Sequence, residues 1–318
     1  MRREVYSCSG WTALRAAELY YLEGRSQKEI GEALGFSPAT VSRALRRARE
    51  EGYIRFAVPE PYAAHLSLAR ALCARFGLRD AVVTDCAGDA EARKRAAALE
   101  GARYIERTLR PGDVLGLAWG GTMYHLVHLL NPCRRTDNAF VTLHGSLRCC
   151  GSELDAATLT RRVAMVLGGA HYCLDAPGLQ PSPEALAALW RAEGGLREAL
   201  ARVTVSVSGL GAFAPEERSP LARLDYLPPE DLAELREKGV CADMLLRFFD
   251  RDGREIDSAV RRRTLAMEPD DYRRIPCKIL VASGAEKAAA LRAVLRGGMA
   301  DVLIADRALA ESVLQPTP

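Results

Sequence analysis

Apolar positions in the first sixty residues recur at helical spacing. Ile30, Leu34, Val41 and Leu45 lie four or seven positions apart, which predicts the inner faces of two consecutive helices. The preceding segment, 11–23, also has an apolar face and predicts a helix that braces the other two. The N-terminal part of the chain is therefore predicted to be a small all-α domain.

Polar residues between these apolar positions indicate where the helices begin. Ser26 and Glu29 have the spacing of a capping box, in which a hydroxyl and a carboxylate each accept a hydrogen bond from a free backbone N–H. Ser37 followed by Pro38 predicts a second helix start, because proline needs no N–H at the first helical position. Gly35 between them permits a tight turn, and the whole pattern is that of a helix-turn-helix.

Beyond residue 58, short apolar runs alternate with helical patterns. The runs that predict strands are 80–84, 114–118, 140–143, 203–207, 277–282 and 302–305. Because they are almost continuously apolar and helices lie between them, they predict a mostly parallel sheet covered on both faces. The segment 53–58 alternates partly and predicts a short strand, a small wing or the first linker segment. Pro59 and Pro61 break regular structure, so we place the domain boundary between residues 1–58 and 59–318.

Four of the predicted strands lead into loops rich in glycine or serine, at 119–122, 144–146, 208–211 and 283–285. In parallel sheets ligands bind at the carboxyl ends of strands, where glycine lets backbone N–H groups reach an anion. None of the loops matches GxGxxG or a P-loop, so neither a dinucleotide nor a nucleoside triphosphate is indicated. One such loop is commonly just a tight turn, but four favour a phosphate-bearing or polyhydroxyl ligand.

The second helix of the helix-turn-helix combines hydroxyls at its start with arginines along its body. Side chains of these types suit a major groove that is bordered by phosphates. We predict DNA contacts for the residues that would face the groove, namely Gln27, Ser37, Pro38, Ala39, Thr40, Ser42, Arg43, Arg46 and Arg47.

Charge and length agree with this division of the chain. A length of 318 residues favours two domains. Of the net charge of +3, residues 1–60 contribute +2, from ten Lys/Arg against eight Asp/Glu. The basic character is thus local to one helix, which does not indicate a protein that coats nucleic acid along its whole surface.

Cysteine usage and hydropathy bear on the compartment and on metal binding. The nine cysteines include no CxxC pair, which favours reduced, mostly buried thiols, and no segment predicts a signal peptide or a membrane span. A cytoplasmic protein is expected. His125, His128 and His144 lie near the glycine loops, but no further ligand of suitable spacing accompanies them, so neither a metal nor a cofactor is predicted.

Taken in order, these features resemble the SorC/DeoR-type family of bacterial sugar-binding transcriptional regulators over nearly the whole chain. In the first domain the resemblance rests on YYLEGRSQ at 20–27, on LGFS through SR at 34–43 and on REEG at 49–52. In the second it rests on GDVLG at 112–116, WGGT at 119–122, RFFDRDG at 247–253, LRGG at 295–298 and DVLI at 301–304.

The resemblance implies a Rossmann-like effector domain with the fold of sugar-phosphate isomerases and deaminases, without their catalysis. It also implies homodimers or homotetramers that bind double-stranded operator DNA and respond to a phosphorylated sugar. Carried over position by position, the effector-binding residues are Gly120, Gly121, Thr122, His144, Gly145, Ser146, Asp243, Gly284 and Lys287.

Each of these assignments has a chemical rationale. Gly121 and Thr122 would offer N–H groups and a hydroxyl to a phosphate, Lys287 would supply a positive charge, and Asp243 would accept hydrogen bonds from sugar hydroxyls. Judged without the resemblance, Lys287 would be interpreted as a solvated helix residue and Asp243 as a turn or capping residue.

The chain departs from the family pattern at Ala118, where a hydroxyl residue is usual, and at Met244, Leu245 and Leu246, where small residues are usual. These departures predict an effector different from that of the relatives, or one bound weakly. We interpret the chain as a transcriptional regulator and not an enzyme. Two alternatives stay open: an active isomerase or deaminase fused to a helix-turn-helix, for which Asp243 lacks an assignable acid partner, and a regulator with a degenerate pocket.

Overall fold

The computed structural model describes residues 8–132, 138–147, 152–215, 217–223 and 226–316. The adjacent thiols Cys149 and Cys150 lie outside this part of the chain. The chain forms two compact units, Met1–Tyr62 and Ala63–Pro318, and each is described by itself.

The first unit contains three helices, α1 (Cys8–Tyr21), α2 (Gln27–Leu34) and α3 (Pro38–Glu50). The capping box of Ser26 and Glu29 is present at the start of α2, and the Ser37 hydroxyl accepts the N–H of Thr40 at the start of α3. Gly35 ends α2 in the left-handed conformation, with φ 71°. Both predicted helix starts and the glycine turn are therefore confirmed.

The core of this unit is built mainly from small side chains. Buried alanines of α1 pack against α3, and Ile30, Val41 and Leu45 complete the cluster. Because alanine side chains are short, the axes of α1 and α3 can approach closely. The position of α1 is consequently tied to that of the predicted recognition helix α3.

The segment 53–58 is not a strand, so the strand and wing interpretations were wrong, and the linker alternative agrees with its irregular backbone. Its residues form a turn followed by irregular backbone, and Tyr53, Phe56 and Val58 are exposed. A strand needs a hydrogen-bonding partner, and the described residues of the first unit contain no strand with which this segment could pair.

The second unit contains twelve α-helices among its described residues, beginning at the unit boundary. They are α4 (Tyr62–Phe76), α5 (Ala90–Thr108), α6 (Gly121–His128), α7 (Ala156–Leu167), α8 (Pro183–Ala192), α9 (Gly194–Ala201), α10 (Pro220–Arg223), α11 (Pro229–Glu237), α12 (Ala259–Arg263), α13 (Pro269–Arg273), α14 (Ala288–Arg296) and α15 (Arg307–Leu314). A short 3-10 turn, Ala285–Lys287, precedes α14.

Seven strands form the main sheet: β1 (Asp80–Thr84), β2 (Val114–Leu117), β3 (Asn138–Thr142), β4 (Gly169–Tyr172), β5 (Val205–Ser208), β9 (Cys277–Ala282) and β10 (Val302–Asp306). Their order is β1-β10-β9-β5-β2-β3-β4, and every neighbouring pair is parallel. Two large apolar clusters cover the sheet, one containing Leu280 and Leu303 and the other containing Ile279 and Ile304. The predicted parallel sheet, buried on both faces, is confirmed.

A second, antiparallel sheet of three short strands follows, β6 (Gly211–Ala212), β7 (Ala242–Met244) and β8 (Arg247–Phe249). The turn between β7 and β8 consists of Leu245 and Leu246, at φ 57° and 61°. Left-handed backbone costs a side chain with a Cβ roughly 1–2 kcal/mol per residue. Burial of both leucine side chains offsets that cost, since they are 3% and 1% exposed.

None of the helices described in the structure is both long enough and apolar enough to cross a membrane.

Candidate effector cavity and nucleic-acid interface

A cavity of about 310 Å³ lies at the carboxyl ends of β2, β5 and β9. Its floor and walls are the loops that follow these strands, the first turn of α5 and the β7–β8 hairpin. The cavity brings together six of the predicted effector residues: Gly120, Gly121, Thr122, Asp243, Gly284 and Lys287.

The loop after β2 presents the N-terminus of α6 to this cavity. Gly120 precedes the helix with φ 106°, and no side chain caps it. The first N–H groups of a helix have no partner within the helix, so at this position they are available to an anion. The Lys94 ammonium group lies 3.8 Å from the point that a β-carbon of Gly121 would occupy. Backbone dipoles and a positive charge therefore meet at one end of the cavity.

Asp243 is almost fully buried in the cavity wall, and its Oδ1 has no hydrogen-bond partner. A β-carbon on Gly211 would overlap with this carboxylate, so the glycine is what leaves room for it. Burial raises the pKa of Asp243 to about 6, although a hydrogen bond from Ser219 and the charge of Lys287 oppose the rise. An unpaired acceptor of this kind suits a ligand hydroxyl.

Lys287 ends the 3-10 turn after β9 and donates a hydrogen bond from Nζ to the carbonyl of Leu210, at 2.9 Å. Burial lowers the pKa of Lys287, whereas the nearby carboxylates of Asp243 and Glu286 raise it. The ammonium group is thus held at the loop after β5 and not directed away into solvent. The interpretation as a freely solvated helix residue is wrong.

The raised pKa of Asp243 makes a prediction about stability. The carboxyl holds its proton more firmly in the folded chain than at its ordinary pKa of 3.8, so the folded state binds more protons between pH 4 and about 6. Stability should therefore fall as pH rises through that interval. We expect Asp243→Asn to remove this fall and to stabilise the fold above pH 7 by about 1–2 kcal/mol.

Denaturant unfolding of both proteins between pH 4 and pH 8 measures this difference. Free energies of unfolding that stay parallel across the range would contradict a raised pKa at Asp243.

Three cations of the cavity wall were not found from the sequence: Arg93 and Lys94 on α5, and Arg218 before α10. Lys94 also pairs with Glu91 at 2.6 Å. Together with Lys287, four cations line the cavity against the two carboxylates of Asp243 and Glu286. The first two could have been found, because they lie near the start of α5, the helix that follows β1 and begins at the same edge of the sheet.

Asp306 holds the loop after β9 in place. Its Oδ1 accepts the N–H of Gly284 at 3.1 Å and that of Leu309 at 3.2 Å, so one carboxylate ties the loop to the start of α15. Arg93 lies 3.4 Å from its other oxygen. Asp306 was not predicted, since it acts on the cavity only through the loop that it orders.

His144, Gly145 and Ser146 do not line this cavity. His144 is buried, with its pKa lowered to about 4 by that burial, and its Nδ1 lies 2.8 Å from the carbonyl of Gly145. The Ser146 hydroxyl donates to Asp155, and the backbone of Gly178 lies against Gly145. A role of residues 144–146 in effector binding stays a prediction.

In the first unit, α3 has an inner and an outer face. Val41, Ala44, Leu45 and Ala48 are buried, whereas most of the predicted DNA-contacting residues are exposed. The exposed residues are Ser37, Pro38, Ala39, Ser42, Arg43 and Arg46, and Gln27, Thr40 and Arg47 are partly buried.

The arginines of α3 differ in their partners. Arg47 forms an ion pair with Glu51 at 2.7 Å, one turn further along, while Arg43 donates from Nη2 to the Thr40 hydroxyl at 3.3 Å. Arg46 is exposed and lies 4.0 Å from Glu50. Arg43 is therefore better placed than Arg47 to reach a base edge.

Comparison with known proteins relates both units to characterised folds. The family model described as "Putative sugar-binding domain" matches residues 60–315, and a model of sigma-70 region 4 matches residues 18–51. The chain is 30% identical over 315 residues to the deoxyribonucleoside regulator of Bacillus subtilis strain 168, covering 95% of this chain and 96% of that protein.

Similarity to the sorbitol operon regulator of Klebsiella pneumoniae is comparable, with 28% identity over 306 residues that cover 95% of this chain and 97% of that protein. The crystal structure of the full-length sorbitol operon regulator SorC from Klebsiella pneumoniae has a TM-score of 0.73 and 28% identity to this chain. The structural match covers 95% of this chain and 98% of the SorC chain. The similarity thus extends over both units.

Proposed function

The chain belongs to the SorC/DeoR-type family of sugar-binding transcriptional regulators, and from this we propose that it binds operator DNA under the control of a phosphorylated carbohydrate. Residues 1–58 would contact the DNA, and residues 59–318 would bind the effector and assemble the oligomer. The chain would act by binding alone, without turning its effector over.

The observation that carries the phosphorylated effector is the charge of the cavity. Arg93, Lys94, Arg218 and Lys287 line it together with an uncapped helix N-terminus. Such an arrangement suits a group of two negative charges with several acceptor oxygens. Near Lys287 in the same cavity, the unpaired Oδ1 of Asp243 would accept a hydrogen bond from a hydroxyl of the same ligand.

Apolar side chains set limits on the rest of the ligand. Ala118, Met244 and Leu245 line the cavity at positions where the family usually has hydroxyl or small residues. They remove hydrogen-bonding groups and volume, so the effector should differ from those of relatives with the usual residues.

The control would follow from a shift between two arrangements of the oligomer. If the effector binds one arrangement more tightly than the other, it changes the distance between recognition helices. Operator half-sites require a fixed distance, so a small rotation of subunits would change operator affinity strongly.

A thermal-shift screen tests the proposal with matched pairs, each sugar phosphate being compared with the same sugar lacking phosphate. A ligand at a hundred times its Kd stabilises a protein by about 2.7 kcal/mol, which is a measurable rise in Tm. We expect at least one pentose or hexose phosphate to raise Tm, its unphosphorylated form to leave Tm unchanged, and the compound to be recovered chemically intact. Equal shifts within every pair would contradict the phosphate requirement, and turnover of the compound would contradict the regulatory, non-catalytic role.

A further inference from the structure

Exposed apolar side chains are concentrated near the N-terminus. Of the twelve large apolar side chains that are exposed in the described part of the chain, ten lie between Trp11 and Leu66. Three of the ten share one face of α1 and its last turn: Trp11 at 52% exposure, Leu14 at 51% and Leu22 at 83%. Because these three side chains share one helix face and are not scattered singly, they form an apolar patch of the kind that marks an interaction site.

The spacing of these residues defines a continuous stripe. Positions 11, 14, 18 and 22 follow one another at intervals of three and four, which places them on one side of a helix. The helical hydrogen bonding continues through Leu22, whose N–H bonds to the carbonyl of Glu18 at 2.9 Å. Arg15 and Glu18 lie in the middle of the stripe, where they form an ion pair within the chain.

The stripe is complementary to its own copy in the antiparallel direction. If two copies of α1 run antiparallel with the two-fold axis midway between positions 16 and 17, the residues along the centre of the stripe pair as 11 with 22 and 15 with 18. Trp11 of one copy then lies opposite Leu22 of the other, and Arg15 of one copy lies opposite Glu18 of the other. Because the pair is symmetric, each of these contacts occurs twice. Large apolar groups meet at both ends and opposite charges meet in the centre, as an isologous interface requires. A parallel pair would instead bring Arg15 to Arg15 and Glu18 to Glu18.

We propose that the DNA-binding units of two copies of this chain pair through α1, antiparallel and centred between Arg15 and Glu18. The inner face of α1 packs on α3, so the pairing fixes the distance between the two recognition helices. Three large side chains per copy bury less than the ~1,200 Å² typical of a stable interface. The pairing therefore orients units that are held near each other, and does not hold the chains together alone.

Photo-crosslinking of the full chain tests the register. The substitution Leu22→benzoylphenylalanine places the reactive group at one end of the stripe, and a mixture of ¹⁴N and ¹⁵N protein identifies products between copies. We expect the main product to join position 22 to the tryptic peptide 4–15 of the other copy, which contains Trp11. Within one chain the two positions are about 16 Å apart along the helix, beyond the reach of the group. Products that join position 22 to peptide 16–25 of the other copy, or no product between copies, would overturn the proposal.

Charge reversal separates pairing between copies from the ion pair within one copy. Arg15→Glu and Glu18→Arg each place like charges opposite one another in the proposed homodimer, and we expect the yield of crosslinked dimer to fall about tenfold for either variant. Mixing the two variants restores both opposite-charge contacts between copies, although each chain still repels itself internally. The yield should then return to that of the unchanged chain. Yields that fail to recover on mixing, or that never fall, would overturn the proposed pairing.

Discussion

Replacing Arg43 by alanine should weaken operator binding by about 1–3 kcal/mol, which is roughly a 5- to 150-fold rise in Kd. Arg43 is exposed on the outer face of α3, one turn from the helix start, with Thr40 as its hydrogen-bond partner. The first turns of a recognition helix approach base edges most closely, and arginine can bind a guanine through two hydrogen bonds. The loss of that bidentate contact accounts for the size of the effect.

Arg49→Ala is the matched control, because it removes the same type of side chain from an exposed position of the same helix for which no DNA contact is predicted. We therefore expect a much smaller change in operator affinity for Arg49→Ala than for Arg43→Ala. Titrations of both variants should use a duplex selected by the unchanged protein from a random pool, at several salt concentrations. Equal losses for the two variants would contradict the assignment of base contact to Arg43.

The salt dependence distinguishes a base contact from a phosphate contact. If Arg43 binds a base, the variant should lose discrimination at one position of the duplex. If Arg43 binds only a phosphate, the variant should bind duplexes of every sequence more weakly by the same factor. The slope of log affinity against log salt concentration should then fall in magnitude by about one unit.

The sequence predicted those parts of the fold that local rules determine. Helix starts at Ser26 and Ser37 follow from capping chemistry, and six strands of the main sheet follow from apolar runs that are long enough to be distinct. The edge strand β4 was not predicted, because its four residues are exposed and form no apolar run. The strands β6, β7 and β8 have two or three residues each, too few for any period to be read. The strand prediction for segment 53–58 was wrong for a different reason. Its alternation of apolar and polar residues does not show whether a partner strand exists.

The cavity shows the same limit. The loops at the ends of the strands were predicted to lie close together. The loops after β2, β5 and β9 do so, because these three strands are consecutive neighbours in the sheet. The loop after β3 does not contribute to the cavity, because its backbone pairs with segments around Pro177 and Ala266. Such pairing joins residues far apart in the chain, and no local pattern announces it.

The leucine turn between β7 and β8 connects these two observations. Asp243 and Leu245 face the cavity, whereas Leu246 packs beside Gly178 in a different apolar cluster. Side chains on both sides of one short hairpin thus contact the ligand cavity and the surrounding core. A ligand that displaced Asp243 or Leu245 would shift the hairpin and so change the packing of that core. Such a coupled change in packing is the physical requirement for transmitting effector binding.

Replacing Lys287 by methionine should reduce affinity for a sugar phosphate at least tenfold, and up to about a hundredfold, while operator binding without effector is retained. Hydrogen bonds to charged groups contribute about 1.5–3 kcal/mol, and methionine keeps most of the side-chain volume while removing the charge. The ammonium group of Lys287 is held in the cavity wall by its hydrogen bond to the carbonyl of Leu210, so it is already positioned to contact a bound phosphate. Little ordering cost would oppose the contact.

Lys238→Met provides the matched control, because Lys238 pairs with Glu234 and does not line the cavity. Isothermal titration with the sugar phosphate found by thermal shift gives Kd for both variants, and operator titration gives the unliganded affinity. Because Lys287 is one of four cations in the cavity wall, its replacement should weaken binding of the sugar phosphate without abolishing it. Raised salt should reduce the difference in Kd between the variant and the unchanged protein. A Lys287→Met protein that binds the sugar phosphate as tightly as Lys238→Met does would assign the phosphate to Arg93, Lys94 or Arg218, and would contradict the role proposed for Lys287.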